Sequence, residues 1–358
     1  MNVSDFGWND YWKQQWQRLE LPPSAEEIVG RVLRAEKGRY DVASDLGRLQ
    51  VTCSGHLIYH VKEPRDLPAV GDWVLVTPIP GEQRGVIHSI FPRKTILSRS
   101  AAGFKQPQEQ LLVTNVDVVW VLTALDQDFN LRRLERYLLQ LKGSGAQVVI
   151  ILSKADLCAD APEKAMDVRA LDPTIPVVVA SSVSGMGLEQ LAPYCQPGQS
   201  IVLMGSSGVG KSTLVNALYE KPLLLTGEVR QRDHRGRHTT TWRETLTLPN
   251  GAVIIDTPGM RELQVWGEVS DVGVAFGDIE SLAERCRFRN CTHTGEPGCA
   301  VQQAIERGEL DQKRFENYLG LKAELLALQQ RQKRKKESRL PPKAKKTVRQ
   351  KKVRVPED

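Results

Sequence analysis

IVLM-GSSGVGKST-LVNAL, residues Ile201 to Leu218, reads as strand, loop and helix. Its middle part, Gly205 to Thr213, matches G-x-x-x-x-G-K-[ST] in full, and the apolar run before it and helical pattern after it are the context this motif requires. Glycines at 205, 208 and 210 allow the backbone N–H groups of the loop, through Ser206, Ser207 and Val209, to turn inward around phosphate oxygens at the positive end of the following helix. Lys211 is placed to reach the β- and γ-phosphates, and Ser212 to ligate Mg²⁺, with Thr213 closing the motif. A Gly-rich turn carrying a chance lysine would lack that strand and helix. The chain is therefore expected to hold a nucleotide, and the question is which one.

Upstream and downstream of the loop run further apolar segments: VDVVWVL (116–122), QVVIILS (147–153), PVVVASS (176–182) and AVIIDTP (252–258). Nearly continuous apolar runs of this length suit strands buried on both faces, and FNLRRLERYLLQLKGSG between the first two reads as an amphipathic helix with a glycine stop. Together they predict an α/β domain with a parallel sheet, whose chemistry sits on loops at the carboxyl ends of the strands.

Two of those ends carry telling residues. Asp256 begins the pattern D-x-x-G forty-five residues after Lys211; its carboxylate can hold Mg²⁺ through water, and the Gly259 N–H can sense a γ-phosphate. ILSKAD (151–156) offers Asp156, a carboxylate able to accept hydrogen bonds from guanine N1–H and its 2-amino group, a donor pair that adenine lacks. Lys154 would lay its stem along the base or ribose, and Ser181 and Ser182 fit a backbone contact to the guanine oxygen. The competing reading makes Asp156 an N-cap for the following helix.

The 358 residues allow two or three domains. Residues 28–97 show five short alternating runs punctuated by Gly, Pro and Asp, which suit a small OB-type barrel; an SH3-like barrel would read similarly. Residues 1–27 form an extension with an aromatic stripe, Trp8, Tyr11, Trp12 and Trp16, on one face of a short helix; packing is favoured over base stacking. The stretch 98–270 is the nucleotide domain, and 271–330 a zinc-binding and helical domain. There Cys286, Cys291, His293 and Cys299 follow C-x4-C-x-H-x5-C, three thiolates and one imidazole that make a closed, structural Zn²⁺ site; free buried cysteines are the alternative. The helix after it is expected to bury Leu310, Phe315, Tyr318, Leu319, Leu325, Leu326 and Leu328.

Residues 331–358 hold thirteen Lys or Arg against three acids, a net +10 against +6 for the whole chain, so residues 1–330 sum to −4. This basic tail is expected to be disordered, and either binds RNA or DNA phosphates or serves as a solvated solubility tail. No signal layout opens the chain and no run approaches eighteen apolar residues, so a soluble cytoplasmic protein is expected, with no membrane partner and a monomer as the default.

The order SKAD, ASS, GSSGVGKST, GRHTTT, DTPG resembles that of a circularly permuted GTPase. With the barrel ahead and the Cys/His cluster behind, residues 28–328 resemble the ribosome small-subunit-dependent GTPase A family, RsgA or YjeQ. The resemblance implies a bacterial factor that binds the 30S subunit and its 16S rRNA, assists late maturation, and hydrolyses GTP with Mg²⁺ when the subunit stimulates it. The alternative is an RNA-binding module whose nucleotide site has little or no turnover. One departure is Ser153, where the family's base motif begins with Asn or Thr; its shorter reach is expected to weaken the guanine contact and the bracing of the phosphate loop. Met260 stands where many GTPases place a water-orienting Gln. His238, in the shared GRHTTT motif, is the candidate to orient or deprotonate water, or else contacts RNA or caps the loop. Thr239 or Thr240 completes the Mg²⁺ shell.

Overall fold

The computed structural model describes residues 2–18, 26–36, 38–100, 109–219, 245–255, 272–273 and 276–339. Five strands, β1 (Ile28–Glu36), β2 (Arg39–Ser44), β3 (Gly47–Cys53), β4 (Trp73–Pro78) and β5 (Arg84–Ile90), close a barrel in the order β1-β2-β3-β5-β4. The β3–β5 pair is parallel and the other pairs are antiparallel. This is the OB arrangement, and each of the five alternating runs supplies one strand.

β1 is buried along most of its length because both of its faces are covered. Val32 points into the barrel with Val42, Val51, Val74 and Val76, whereas Val29 and Leu33 face outward into a second core. That second core also contains Trp73 and Phe91 of the barrel and the aromatic extension. Helix α1 (Asp10–Gln17) is capped by Asn9, whose side chain accepts the Tyr11 and Trp12 N–H groups. Trp8 meets Trp73 edge-on at 4.9 Å and Phe91 at 5.7 Å, so the aromatic stripe packs on its own barrel.

Strands β6 (Ile96–Ser100) and β7 (Glu109–Thr114) form a two-stranded sheet. A six-stranded sheet follows in the order β10-β9-β8-β11-β13-β12, built from β8 (Val118–Ala124), β9 (Gln147–Ser153), β10 (Val177–Val179), β11 (Ser200–Met204), β12 (Thr245–Thr247) and β13 (Val253–Ile255). All neighbours are parallel except β12 with β13. Alternate residues feed opposite faces: Val119, Val121, Ile150, Leu152, Val202 and Met204 join the core shared with the barrel. Helices α3 (Leu131–Leu141) and α4 (Ala161–Leu171) lie on that face; α2 (Gly55–His60) belongs to the barrel. Trp120, Leu122, Ile151 and Ile201 face the other side, where α5 (Lys211–Tyr219) covers them.

Barrel and sheet belong to one compact unit. Arg31, only 2 % exposed, donates to Phe6 O, to Ser200 Oγ at 2.7 Å and to Asn115 O at 2.9 Å, which joins extension, barrel and sheet. Burial lowers its pKa to about 10, so the guanidinium stays charged near neutrality. Asp72 accepts from Arg93 at 2.7 Å and from Thr114 Oγ1 at 2.6 Å, a second buried tie across the same seam.

The second unit contains α6 (Gly277–Ala283), α7 (Ala300–Glu306) and α8 (Gln312–Arg339). Arg314 of α8 grips Asp278 of α6 through Nε at 2.8 Å and Nη2 at 3.0 Å, and Tyr318 OH donates to Glu280 at 2.8 Å. Leu310, Phe315, Tyr318 and Leu325 are buried as expected, but Leu326 is exposed and Leu321 takes a core place instead. A spacing of 318, 321, 325 keeps one helical face, and position 326 turns away from it. Leu319 is half-buried, and the side chain of Leu328 lies outside the described residues. The helix continues nine residues past 330, because Gln, Arg, Lys and Glu are good helix formers extending a helix already nucleated.

Candidate functional site

In the sheet, β8, β9 and β10 run outward to one edge, and the chain then returns to place β11 beside β8 before continuing to the other side. Loops leaving β8 and β11 therefore diverge, and the crevice between their carboxyl ends is where open α/β sheets bind ligands. The loop 205–210 leaves β11 at that point. Gly205, Gly208 and Gly210 have φ of +147°, +80° and +99°, conformations that side-chain-bearing residues rarely adopt. A Cβ on Gly205 would stand 2.5 Å from Leu122 O of β8, so glycine also permits the close approach of the two strands.

Lys211 opens α5 and its Nζ donates to Gly205 O and Ser206 O at 2.6 Å each. These carbonyls hold the ammonium at the mouth of its own loop, beside the helix N-terminus, where anionic phosphates are favoured. Ser212 and Thr213 follow in the first turn. β13 ends at Ile255, next to β11 and immediately before Asp256. Asp256, Gly259, Met260, His238, Thr239 and Thr240 lie outside the described residues.

The base-side residues sit two strands away, on β9, about 9.5 Å across at ordinary strand spacing. Ser153 ends that strand, 5 % exposed, and its Oγ donates to Val209 O at 2.7 Å, with Thr123 O at 3.4 Å. The shorter side chain thus still makes a hydrogen bond to the backbone of the phosphate loop. Lys154 has φ of +59°, and its Nζ pairs with Asp126 Oδ2 at 2.8 Å, which fixes the side-chain stem. Asp156 lies exposed in the short turn Ala155–Leu157 with no hydrogen-bond or ion-pair partner among the described residues. It does not cap a helix: Asp160 occupies the cap position of α4. Its acceptor oxygens are available to a ligand.

Beyond β10, Ser181 Oγ accepts from the Val183 and Ser184 N–H groups at 3.3 and 3.2 Å, while its own N–H goes to Met186 O. Ser181 thus shapes the turn, and Ser182, half-buried, retains a backbone N–H without a partner among the described residues. The Ala155 N–H to Ala180 O bond, 3.2 Å, holds this turn beside the Asp156 turn.

Two acidic residues that sequence reading did not single out come from the loop after β8. Asp126 holds Lys154, and Asp128 accepts from Ser206 Oγ of the phosphate loop at 2.8 Å. Asp128 also forms a two-armed pair with Arg133 in the first turn of α3. Arg133 and then Ser206 hold the Asp128 carboxyl below the ordinary carboxylate range. Burial works against the Asp126 carboxylate, but Lys154 and the Asp128 N–H outweigh it and leave its pKa lowered.

In the second unit Cys286, Cys291, His293 and Cys299 present ligand atoms that all lie within 4.8 Å of one another. The Sγ atoms of Cys286 and Cys299 are 3.9 Å apart, and each is 3.5 Å from His293 Nδ1. A tetrahedral zinc with Zn–S of about 2.3 Å and Zn–N of about 2.0 Å has edges of about 3.8 and 3.5 Å, so donor types and spacing both fit one Zn²⁺. Burial, then nearby Lys322, pushes the His293 imidazole toward its neutral, ligating form. Burial raises the Cys286 thiol, but the Val301 and Ala300 N–H groups aimed at its sulfur outweigh this and lower its pKa. The loop is braced from outside: Gln302 Nε2 donates to His293 O, and the Thr292 and Thr294 N–H groups donate to Glu296 at 2.8 and 2.9 Å. A metal held by all four would have no position left open, the arrangement of a structural rather than a catalytic site.

The family model described as RsgA GTPase matches residues 90–266. The chain is 44% identical over 335 residues to the small ribosomal subunit biogenesis GTPase RsgA of Opitutus terrae, covering 90% of each protein. It is 38% identical over 355 residues to the protein of the same name from Syntrophotalea carbinolica, covering 94% of this chain and 96% of that one. Among solved structures it is similar to YjeQ from Thermotoga maritima, with a TM-score of 0.59 and 27% identity over 84% of this chain and 99% of that chain. It is likewise similar to YloQ, a circularly permuted GTPase, with a TM-score of 0.56 and 25% identity over 85% of this chain and 96% of that chain.

Proposed function

The chain belongs to the RsgA GTPase family, and we propose from this that it hydrolyses GTP as a biogenesis factor of the small ribosomal subunit, with turnover stimulated by that subunit. The observation that carries the nucleotide reading is the Ser153–Val209 bond, which joins the residue opening the base motif to the phosphate loop. In this reading the loop N–H groups and Lys211 bind the β- and γ-phosphates, and Asp156 selects guanine through its two donors. Lys154, anchored on Asp126, lies against the base, and the Ser182 N–H faces the guanine oxygen.

Ser212, Asp256 and Thr239 or Thr240 hold the Mg²⁺ that accompanies GTP, which when bound neutralises charge developing on the phosphoryl oxygens. The Gly259 N–H senses the γ-phosphate. With Met260 in place of a polar water-orienting side chain, His238 orients the attacking water once the subunit orders its loop, so turnover by the chain alone is slow. Cys286, Cys291, His293 and Cys299 hold one structural Zn²⁺.

The partner surface is read as 16S rRNA. Phe288 is exposed between Arg287 and Arg289 on the zinc loop, with the Arg287 guanidinium 5.4 Å from its ring, a combination suited to stacking on an unpaired base beside phosphates. The +10 tail adds phosphate contacts. Among the described residues no helix is long and apolar enough to cross a membrane; a role in ribosome assembly is cytoplasmic work, and a monomer is the oligomeric state of this reading.

Co-sedimentation of the full chain with purified small subunits tests the partner. Binding stronger with a non-hydrolysable GTP analogue than with GDP, and weakening steeply with salt, is expected. Equal binding to small and large subunits, independent of nucleotide, would contradict the proposal.

A further inference from the structure

The loop between β8 and α3 touches both lysines of the nucleotide site, one directly and one through a serine. Asp126 pairs with Lys154 at 2.8 Å. Asp128 accepts from Ser206 Oγ at 2.8 Å, and the carbonyl of the same Ser206 accepts from Lys211 Nζ at 2.6 Å. Arg133, whose guanidinium grips both Asp128 oxygens, ties the chain of contacts to the start of α3. Asn130 caps that helix by accepting the Arg133 N–H at 3.1 Å, so the loop's exit is fixed as well. Its entrance is fixed by the Leu125 N–H to Ser153 O bond at 2.9 Å.

We propose that this loop is the strut that positions both lysines, with Asp128 setting the Ser206 carbonyl that aims Lys211 and Asp126 setting the stem of Lys154. The inference rests on the reading of this crevice as the guanine nucleotide site. Its physical basis is the divergence of the β8 and β11 loops: among the described residues, β8 is the strand between β11, which carries the phosphate end, and β9, which carries the base end, and this loop leaves its carboxyl end. Asp128 and Asp126 are positioning residues, since each acts through another side chain. Arg133 matters to the electrostatics because it neutralises Asp128, so the carboxylate beside the phosphate loop does not repel the anionic ligand.

Two ends of one ligand give the test its resolution. Fluorescent N-methylanthraniloyl-GDP is bound to the full chain and displaced by GDP or by GMP. Ser206→Ala removes the tether without changing charge and is expected to weaken GDP roughly fivefold, the size of one net hydrogen bond, while weakening GMP less than twofold. Asp128→Ala should match it, and the Ser206→Ala, Asp128→Ala double variant should be no weaker than either single change. Asp128→Asn retains an acceptor for Ser206 and should rescue GDP affinity to within twofold. Asp126→Ala releases Lys154 and also the Asp128 N–H, so it should weaken GMP as well as GDP, a loss at the base end that Ser206→Ala does not share. Urea midpoints measured alongside separate misfolding from a local effect. Unchanged GDP affinity in Ser206→Ala, additive losses in the double variant, or no rescue by Asn would overturn the strut while leaving the nucleotide site standing. Failure of the unaltered chain to bind GDP would remove the site itself, and the strut with it.

Discussion

Replacing Ser153 by Ala removes one hydroxyl that belongs to two parts of the site at once. Its Oγ donates to the carbonyl of Val209, a residue only 1 % exposed, across 2.7 Å. A net hydrogen bond of this kind contributes about 1 kcal/mol. How that energy divides between stability and affinity depends on what the phosphate loop does without the brace. Were Val209 held equally well by its burial alone, Ser153→Ala would lower the urea stability by about 1 kcal/mol and leave nucleotide affinity unchanged. The left-handed glycines on either side of Val209, at 208 and 210, have many other conformations open to them once the tether is cut. The nucleotide must then rebuild the loop as it binds, and GDP affinity should fall roughly fivefold, the equivalent of about 1 kcal/mol. Titration of the full chain with N-methylanthraniloyl-GDP measures this directly, with Ser153→Thr as the control that keeps the hydroxyl. Equal affinity in wild type, Ser153→Ala and Ser153→Thr would refute the bracing argument, whatever happened to stability.

Three further expectations follow from other parts of the molecule. At Gly71, whose φ is +92°, an added Cβ would lie 2.0 Å from Thr114 O, so Gly71→Ala should destabilise the barrel-to-sheet seam by about 3 kcal/mol or prevent folding, as read by calorimetry. The zinc reading requires one Zn²⁺ per chain by elemental analysis, and stripping it with a chelator should abolish the slow amide exchange of α6 and α7 while strands β8, β9 and β11 keep theirs; exchange unchanged in both units would contradict a structural metal. Asp278 is opposed by burial yet held below its ordinary pKa by Arg314, so its contribution is fully present above about pH 4, the unfolded value, and is lost as pH falls through the folded one. Asp278→Asn should therefore be less stable than wild type at pH 7, with the gap closing in acid; a constant gap would mean that the carboxylate charge is not what matters.

What the residues announced in advance was local. The phosphate loop, the SKAD strand end and the Cys/His cluster are legible because their chemistry depends on close spacing along the chain. The alternating barrel strands were legible for the same reason. Arg31 was not: within IVGRVLRA it resembles a solvent-facing residue of a half-exposed strand, but β1 is covered on both sides, and its outward face looks into the core shared with the sheet. Strands β6, β7 and β12 carry no strong apolar pattern; among the described strands β6 and β7 pair with each other, and β12 lies at the end of its sheet. Asp128 and Ser206 are 78 residues apart, and nothing in either neighbourhood signals that a hydroxyl and a carboxylate will meet. Ser153 is the instructive middle case. Its position was legible, but its partner was not: the hydroxyl reaches Val209 O because β9 ends within hydrogen-bonding distance of the loop that β11 supplies.

The measurement that bears most directly on the whole account is GTP turnover by the purified chain with and without small ribosomal subunits, with large subunits and ATP as controls. Slow turnover by the chain alone, strong stimulation by small subunits, none by large subunits and no hydrolysis of ATP are expected. Turnover that small subunits leave unchanged, under conditions where they bind the protein, would contradict it.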